Sequence, residues 1–318
     1  MSEQLPKSEH FELKKLAEGV YAALARPEGL AGCNGGIIDL GNRTAVVDTF
    51  ISPAAAADLR DAALQLTGRD PDLVFITHHH SDHIWGNQAF EKHVCILSSQ
   101  ETFRVIEETG EESLKQNRKD MLEMIDQTQE QLKAEADAGK KAEIAANLEQ
   151  YQRRLALVNS IQLRLPSLVC QGPLSFYGTL RNAEFIPYER AHSPGNSVIF
   201  LSRDGILFVG DLLFARRHPF MGDGAPQGWI RVLEKIIELN PETIVPGHGP
   251  VSTLAEIKEM RDYIQVISEK VQAFVKAGKP ASALDEIELP EPYVSWQPQM
   301  LLERSLNGLY QYYSQKQN

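Results

Sequence analysis

The sequence predicts an α/β fold built in layers, and three observations predict it. Short apolar runs of strand length occur in both halves of the chain, with helical patterns between and after them. Several of these runs end directly in loops containing Gly, Pro, His or Asp. Between the halves, residues 100–165 have little glycine and no proline and are dominated by Glu, Lys, Gln and Ala.

The elements follow in order. The first ten residues are polar and are expected to fray. Residues 11–48 read as strands: FELKKLAEGVYAAL, GGIIDL and TAVVD, with a turn at Gly41-Asn42. Ser52-Pro53 is a helix-start signal for an alanine-rich helix to residue 66. Residues 73–76 read as a buried strand that feeds directly into a run of histidines, and a short strand is expected near 94–97. Within 100–165, Ile144, Leu148, Tyr151, Leu155, Val158 and Ile161 step by four and three residues. Leu114, Met121, Ile125, Thr128 and Leu132 form a weaker stripe, and Gly139 suggests the turn between the two. This is a helical hairpin inserted into the fold. Its pattern suits a lid, a dimerisation arm or a structural decoration equally.

After Pro166 the strand pattern resumes with AEFIPYE, SVIFLS and GILFVGD, the last two forming a hairpin at Asp204-Gly205. Residues 226–239 are helical, with Trp229, Leu233, Ile236 and Ile237 on one face. TIVPGHG is a short strand ending in a glycine loop, and 254–275 and 300–313 are helices. The expected organisation is a core of 11–99 and 166–255, an inserted hairpin at 100–165 and a C-terminal helical extension at 256–318.

Composition narrows the function. Of 318 residues, 42% are hydrophobic and 24% charged, enough for a sizeable core. The net charge of −11 lacks the basic footprint of nucleic-acid binders, so no nucleic-acid partner is expected. Cys33, Cys95 and Cys170 are scattered, odd in number and without zinc-finger spacing, which suits buried thiols in a reducing compartment. The opening MSEQLPKSEHFELKK has no apolar core for a signal peptide, and no run approaches the ~20 apolar residues of a membrane helix. A cytoplasmic location without membrane contact is the expectation.

The chemistry is concentrated in Thr77-His78-His79-His80-Ser81-Asp82-His83. Side chains alternate along an extended segment, so His78 and His80 point together and His79 points away. The chain then turns, and Asp82 and His83 can serve a second centre. Imidazole and carboxylate donors suit zinc, with iron or manganese as alternatives. The bland alternative is a histidine-rich surface loop, but this run follows a buried strand. Three further candidates sit in loops flanking strands: His192 in AHSPGNS, Asp211 in FVGD and His248 in PGHG. Asp48, ending AVVD, is a candidate acceptor that would orient a ligand histidine, or else a turn residue. Tyr188, Asn196, His218 and the pair Arg216-Arg217 are candidate substrate contacts. Trp85 reads as a loop anchor, and His10, His79 and His93 carry no assigned role.

The ordered set THHHSDH, AHSPGNS, FVGD and PGHG resembles the metallo-β-lactamase superfamily of metal hydrolases, over residues 11–255 apart from the helical insertion. The resemblance implies a four-layer αββα sandwich with the metal site on one edge. It implies two Zn2+ ions, with His78, His80 and His192 on one, Asp82, His83 and His248 on the other, and Asp211 bridging. Aspartate at 211 is similar to glyoxalase II-like enzymes and lactonases and unlike true β-lactamases. Asn196 departs from the second histidine of many relatives, and residues 208–229 look like a SoxH-like subgroup. The implied activity is cleavage of an ester, thioester, lactone or similar small carbonyl substrate by a metal-bound hydroxide, with Asp82 orienting the nucleophile. A mononuclear-iron persulfide dioxygenase-like oxidoreductase using His78, His192 and Asp211, and a metal-retaining, non-catalytic binding module, are the alternatives. The partners expected are a small-molecule substrate and a second copy of the chain, docked through the insertion.

Overall fold

The computed structural model describes residues 4–316. The opening of the chain is an antiparallel meander, alternating in burial at the start of its edge strand and buried on both faces further in: β1 (Phe11–Ala17), β2 (Val20–Ala25), β3 (Gly35–Asp39) and β4 (Thr44–Val47) pair in sequence order. α1 (Pro53–Thr67) follows. The Ser52 hydroxyl accepts from the Ala55 N–H at 3.0 Å to cap its start, and Gly68 closes it at φ +72°. β5 (Leu73–Phe75), β6 (Cys95–Ser99) and β7 (Leu168–Cys170) then add in parallel to complete a seven-stranded sheet. Between β5 and β6 lie the single turn α2 (Ser81–Ile84) and a 3-10 turn at Trp85–Ala89.

The inserted hairpin is α3 (Gln100–Ala134) and α4 (Ala138–Ser160). A second sheet follows. β8 (Leu174–Tyr177), β9 (Asn182–Tyr188), β10 (Asn196–Leu201) and β11 (Ile206–Phe214) are antiparallel neighbours. After α5 (Pro226–Leu239), β12 (Thr243–His248) joins β11 in parallel. α6 (Leu254–Lys276) and α7 (Gln299–Gln315) close the chain.

Three apolar layers hold these parts together. Leu73, Phe75, Leu97, Phe185, Ile199 and Phe208 fill the space between the sheets. Ile37, Val46, Val74 and Ile96 point to the opposite face of the first sheet and meet Leu59 of α1 and Ile106 of α3. Leu207, Val209 and Ile244 do the same on the second sheet against Trp229 and Leu233 of α5 and Ile264 and Ile267 of α6. Neighbouring residues such as Val46 and Val47 or Leu207 and Phe208 therefore bury opposite faces, which explains why these strands read as unbroken apolar runs. The order of layers is helix, sheet, sheet, helix, so the αββα expectation holds. α6 is a full member of the outer layer.

Three expectations need correction. Residues 1–3 lie outside the described residues, but 8–10 are tied down. Ser8 donates to the Asp58 carboxylate at 2.6 Å, and buried His10 accepts from the Leu30 N–H at 3.4 Å, because Phe11 is drawn into the core next door. The hairpin turns at 135–137, before Gly139, which belongs to α4; the Asp137 carboxylate caps that helix by accepting from the Lys140 N–H at 2.9 Å. β7 and β8 went unread because both are short and half-exposed; β8 alternates in burial over only four residues, too few to stand out in the sequence. Among the described residues no helix is long and apolar enough to cross a membrane.

Candidate metal centre

Strand ends position most of the chemistry; Asp211, expected in a loop after a strand ending near Val209, instead lies inside β11, because the strand continues through it to Phe214. β5 delivers the histidine run, β9 and β10 flank His192, β11 carries Asp211, and β12 ends on His248. All seven residues expected from the sequence as metal donors come together, in two groups. In the first, His80 Nδ1 lies 3.0 Å from His78 Nε2 and 2.9 Å from His192 Nε2. Asp211 Oδ2 lies 3.4 Å from His192 Nε2 and 3.7 Å from His78 Nε2. In the second, Asp211 Oδ1 lies 3.1 Å from His83 Nε2 and 3.3 Å from His248 Nε2. Asp82 Oδ2 stands 3.4 Å from His248 Nε2 and 3.8 Å from His83 Nε2. Donors around one tetrahedral ion, each about 2.0–2.1 Å from it, are about 3.3 Å apart. Both groups have that spacing, and the two oxygens of Asp211 are divided between them.

The proton positions test whether an ion fits. Asp48 Oδ2 accepts from His83 Nδ1 at 2.7 Å, so the opposite nitrogen of His83, Nε2, is left to face Asp211. Asp223 Oδ2 accepts from His80 Nε2 at 2.9 Å, leaving Nδ1 for the first group. The Thr77 hydroxyl donates to Asp48 at 2.8 Å, so His78 Nδ1, 3.1 Å away, supplies the proton between them. Its Nε2 is then bare. Lone pairs and a carboxylate thus converge on one another. His83 Nε2 and Asp211 Oδ1 are buried without a hydrogen-bond partner, a costly arrangement unless a cation sits between them. The donor set fits metal.

Electrostatics divide the buried imidazoles: burial would lower His83, but the acidic groups around it, Asp211, Asp48 and Asp82 among them, outweigh burial and hold it well above the ordinary histidine range. Burial strips water from the imidazolium forms of His78 and His192 and, with neighbouring imidazoles, holds both well below the ordinary histidine range. They are neutral, the form that binds metal. Burial alone would raise the Asp211 carboxyl, but His248 and His83 beside it outweigh burial and hold it well below the usual range. The hydrogen bond from His80 holds Asp223 low in the same way.

Local backbone choices make room for this geometry. Asp48 adopts φ +56°, a left-handed conformation that Asp tolerates better than most residues, and so turns its carboxylate toward Thr77 and His83. A Cβ at Gly247 would lie 1.9 Å from Asp211 Oδ1. Gly247→Ala is therefore expected to push the Asp211 carboxylate aside and lower metal affinity roughly 10–100-fold, the usual cost of disturbing what orients a ligand. A competitive titration with a chromogenic chelator measures it; unchanged affinity would show that the carboxylate can move without loss.

Other sequence candidates have different surroundings. Asn196 is spent inside the His192 loop, donating to the Glu189 and Ser193 carbonyls at 3.1 and 2.8 Å. His218 is buried, with Nδ1 2.9 Å from the Tyr263 hydroxyl. Tyr188 is half-buried under Lys235, whose ammonium is 5.8 Å from the ring centre. None of the three lines the cavity of about 1180 Å3 beside the two groups. Arg216 pairs with Glu256 at 3.2 Å, while Arg217 does line that cavity. His79, expected to point away, lines it too: the chain bends at 79, and the ring stands 4.6 Å from that of His80. Burial holds the His79 imidazole down to about 3. Trp85 is buried at the cavity edge, and His93 is exposed. Sequence reasoning missed Asp223. An aspartate between two glycines gives no hint that a loop 143 positions later returns to His80.

Two facing sheets between helical layers, with histidine and aspartate donors gathered at one edge, define a class of α/β proteins with a candidate metal site. The Metallo-beta-lactamase superfamily profile matches residues 29–248, and the chain belongs to that superfamily. Solved structures show the same fold. A metallo-beta-lactamase from Pontibacter korlensis is 15% identical, with TM-score 0.59, covering 80% of this chain and 99% of that one. One from Hirschia baltica is 18% identical, with TM-score 0.56, covering 80% and 98%. The structure of VMB-1 is 17% identical, with TM-score 0.57, covering 82% and 99%. No curated protein matches the chain.

Proposed function

We propose that the chain is a dinuclear metal hydrolase of a small ester, thioester, lactone or similar carbonyl compound. The observation that carries this reading is Asp211, whose two carboxylate oxygens each face a separate trio of donors. His78, His80 and His192 would hold one ion, Asp82, His83 and His248 the other. Zinc suits this donor set, and iron or manganese is compatible with it. Such a pair supplies a water acidified toward neutral pH and a Lewis acid for the carbonyl.

The residues then have distinct tasks. Asp48 keeps the His83 proton on Nδ1, and Asp223 keeps the His80 proton on Nε2. Asp82 is half-buried at the cavity, so its carboxylate can orient the attacking water as well as ligate. Phe214 stacks on His248 at 4.8 Å and holds that ring flat against the cavity wall. α3 lines the cavity through Val105, Ile106, Thr109 and Gly110, which supports a wall or lid role for the insertion over a dimer contact. In the net reaction water adds across the acyl bond: the acyl carbon gains oxygen, the C–O or C–S bond breaks, and the leaving group departs with a proton.

A complete second trio favours this reading over a mononuclear iron oxygenase, which needs only His78, His192 and Asp211. Metal analysis separates them. Two zinc ions per chain, with chelator-sensitive turnover of an ester and thioester panel, are expected. One iron per chain with oxygen consumption would replace this reading with the oxygenase. Full metal loading with no turnover across the panel would favour a binding module.

A further inference from the structure

Four arginines line the cavity beside the donor groups, each from a different part of the chain: Arg154 of α4, Arg190 before His192, Arg217 after β11 and Arg304 of α7. In a chain of net charge −11 this is a local reversal of sign. The acids lining the same cavity, Asp82, Asp211 and Asp223, face histidines instead: Asp82 and Asp211 toward His248, Asp223 toward His80. The Arg190 guanidinium is occupied, donating to the Asp223 carbonyl at 3.0 Å. Among the described residues, Arg154, Arg217 and Arg304 make no side-chain hydrogen bond or ion pair.

Arg304 is nonetheless held in place. Its guanidinium lies 5.0 Å from the centre of the Phe220 ring, and that ring stands 5.6 Å from the His80 imidazole. One aromatic ring thus separates a guanidinium from the donor groups. A guanidinium stacked on a ring keeps its in-plane N–H groups free, and these match the paired oxygens of an oxyanion. Arg217 is tied to the same region, because its backbone bridges to Gln297, just before α7 begins.

We propose that this cavity selects substrates carrying an oxyanion, a carboxylate or a phosphate, which Arg304 binds, with Arg217 lining the same cavity, while the carbonyl to be cleaved lies across Phe220 at the donor groups. The inference rests on the hydrolase reading and adds the substrate class. A matched pair of esters tests it in the zinc-loaded protein: mono(4-nitrophenyl) glutarate, which is anionic, and neutral 4-nitrophenyl butyrate. The wild type is expected to prefer the anionic ester in kcat/KM. Arg304→Gln is expected to cut that preference about tenfold, through KM, as loss of a charge-assisted hydrogen bond does. Arg153→Gln, outside the cavity lining and paired with Glu149, is the control and should leave the preference unchanged.

Equal preference in wild type and Arg304→Gln, with turnover intact, overturns the oxyanion site and spares the hydrolase. Absence of turnover with both esters counts against the hydrolase reading alone, and calorimetry then decides the oxyanion site. Glutarate or inorganic phosphate should bind the zinc-loaded wild type more tightly than neutral glutaramide does, and Arg304→Gln should weaken that binding about tenfold. Comparing glutarate with phosphate tells which oxyanion is read. Binding that Arg304→Gln leaves unchanged overturns the proposal, since it would then occur at the metal alone. Melting curves confirm that each variant is folded.

Discussion

Replacing Asp211 by alanine is expected to lower metal content below two ions per chain and to cut turnover roughly a thousandfold or more. Among the described residues this carboxylate alone faces both donor trios, so on the dinuclear reading its removal would cost each ion a ligand. The several kcal/mol of charge stabilisation that a dinuclear site lends an acyl-transfer transition state correspond to roughly three powers of ten in rate. The metal-free fold should also lose stability at neutral pH. Asp211 is 4% exposed, and His248 and His83 outweigh its burial and hold its carboxyl well below the usual range, so the ionised side chain favours the folded state above the ordinary carboxylate range and loses that contribution as pH falls. Two measurements separate these effects. Zinc should raise the wild-type melting temperature, as a ligand present at about 100 times its Kd adds about 2.7 kcal/mol. It should raise that of Asp211→Ala much less. A variant that still binds two ions with wild-type affinity would remove the bridging role.

The second large effect belongs to Asp48, which does not line the cavity beside the donor groups. Its carboxylate is 1% exposed and accepts three hydrogen bonds, from the Thr77 N–H, the Thr77 hydroxyl and His83 Nδ1, at 2.8, 2.8 and 2.7 Å. Asp48→Ala strands all three buried donors. At roughly 1–3 kcal/mol each, offset by partial relaxation, the fold should lose about 3–5 kcal/mol. Asp48→Asn is the more informative change. Asparagine tolerates the left-handed backbone at least as well, and its carbonyl can still accept from the Thr77 N–H. Its amide, however, presents N–H groups where Oδ2 accepted from His83. The His83 proton must then move to Nε2, the nitrogen that faces Asp211. Asp48→Asn should therefore melt nearer to wild type than Asp48→Ala, yet bind metal roughly 10–100-fold more weakly. Wild-type metal affinity in Asp48→Asn would mean that the tautomer is set elsewhere.

Much of the fold was legible because local signals were strong. The Ser52-Pro53 start of α1, the turn at Gly205 and the apolar face of α5 each follow from short-range chemistry. β7 and β8 were not legible, because edge strands of three and four residues draw their order from the sheets they join. The donor residues could be picked out since histidine and aspartate beside apolar runs are conspicuous. Their assignment to two ions around Asp211 was what the resemblance implied, and it stays part of the proposed function. Tyr188, Asn196 and His218 were chosen for nearness in sequence to the expected loops, and nearness in sequence says nothing about which way a buried side chain turns. Asn196 turns back on its own loop and His218 turns toward α6.

Taken alone, the sequence determined which side chains are able to hold a cation and which runs of chain become strands, because both depend on residue type and short-range pattern. Only the tertiary structure decided the surroundings of those side chains. Asp223 reaches His80 across 143 positions, and the guanidinium of Arg304 comes to rest on Phe220. Such pairings are set by how two sheets and their helical layers stack, and no local pattern in the chain encodes that stacking.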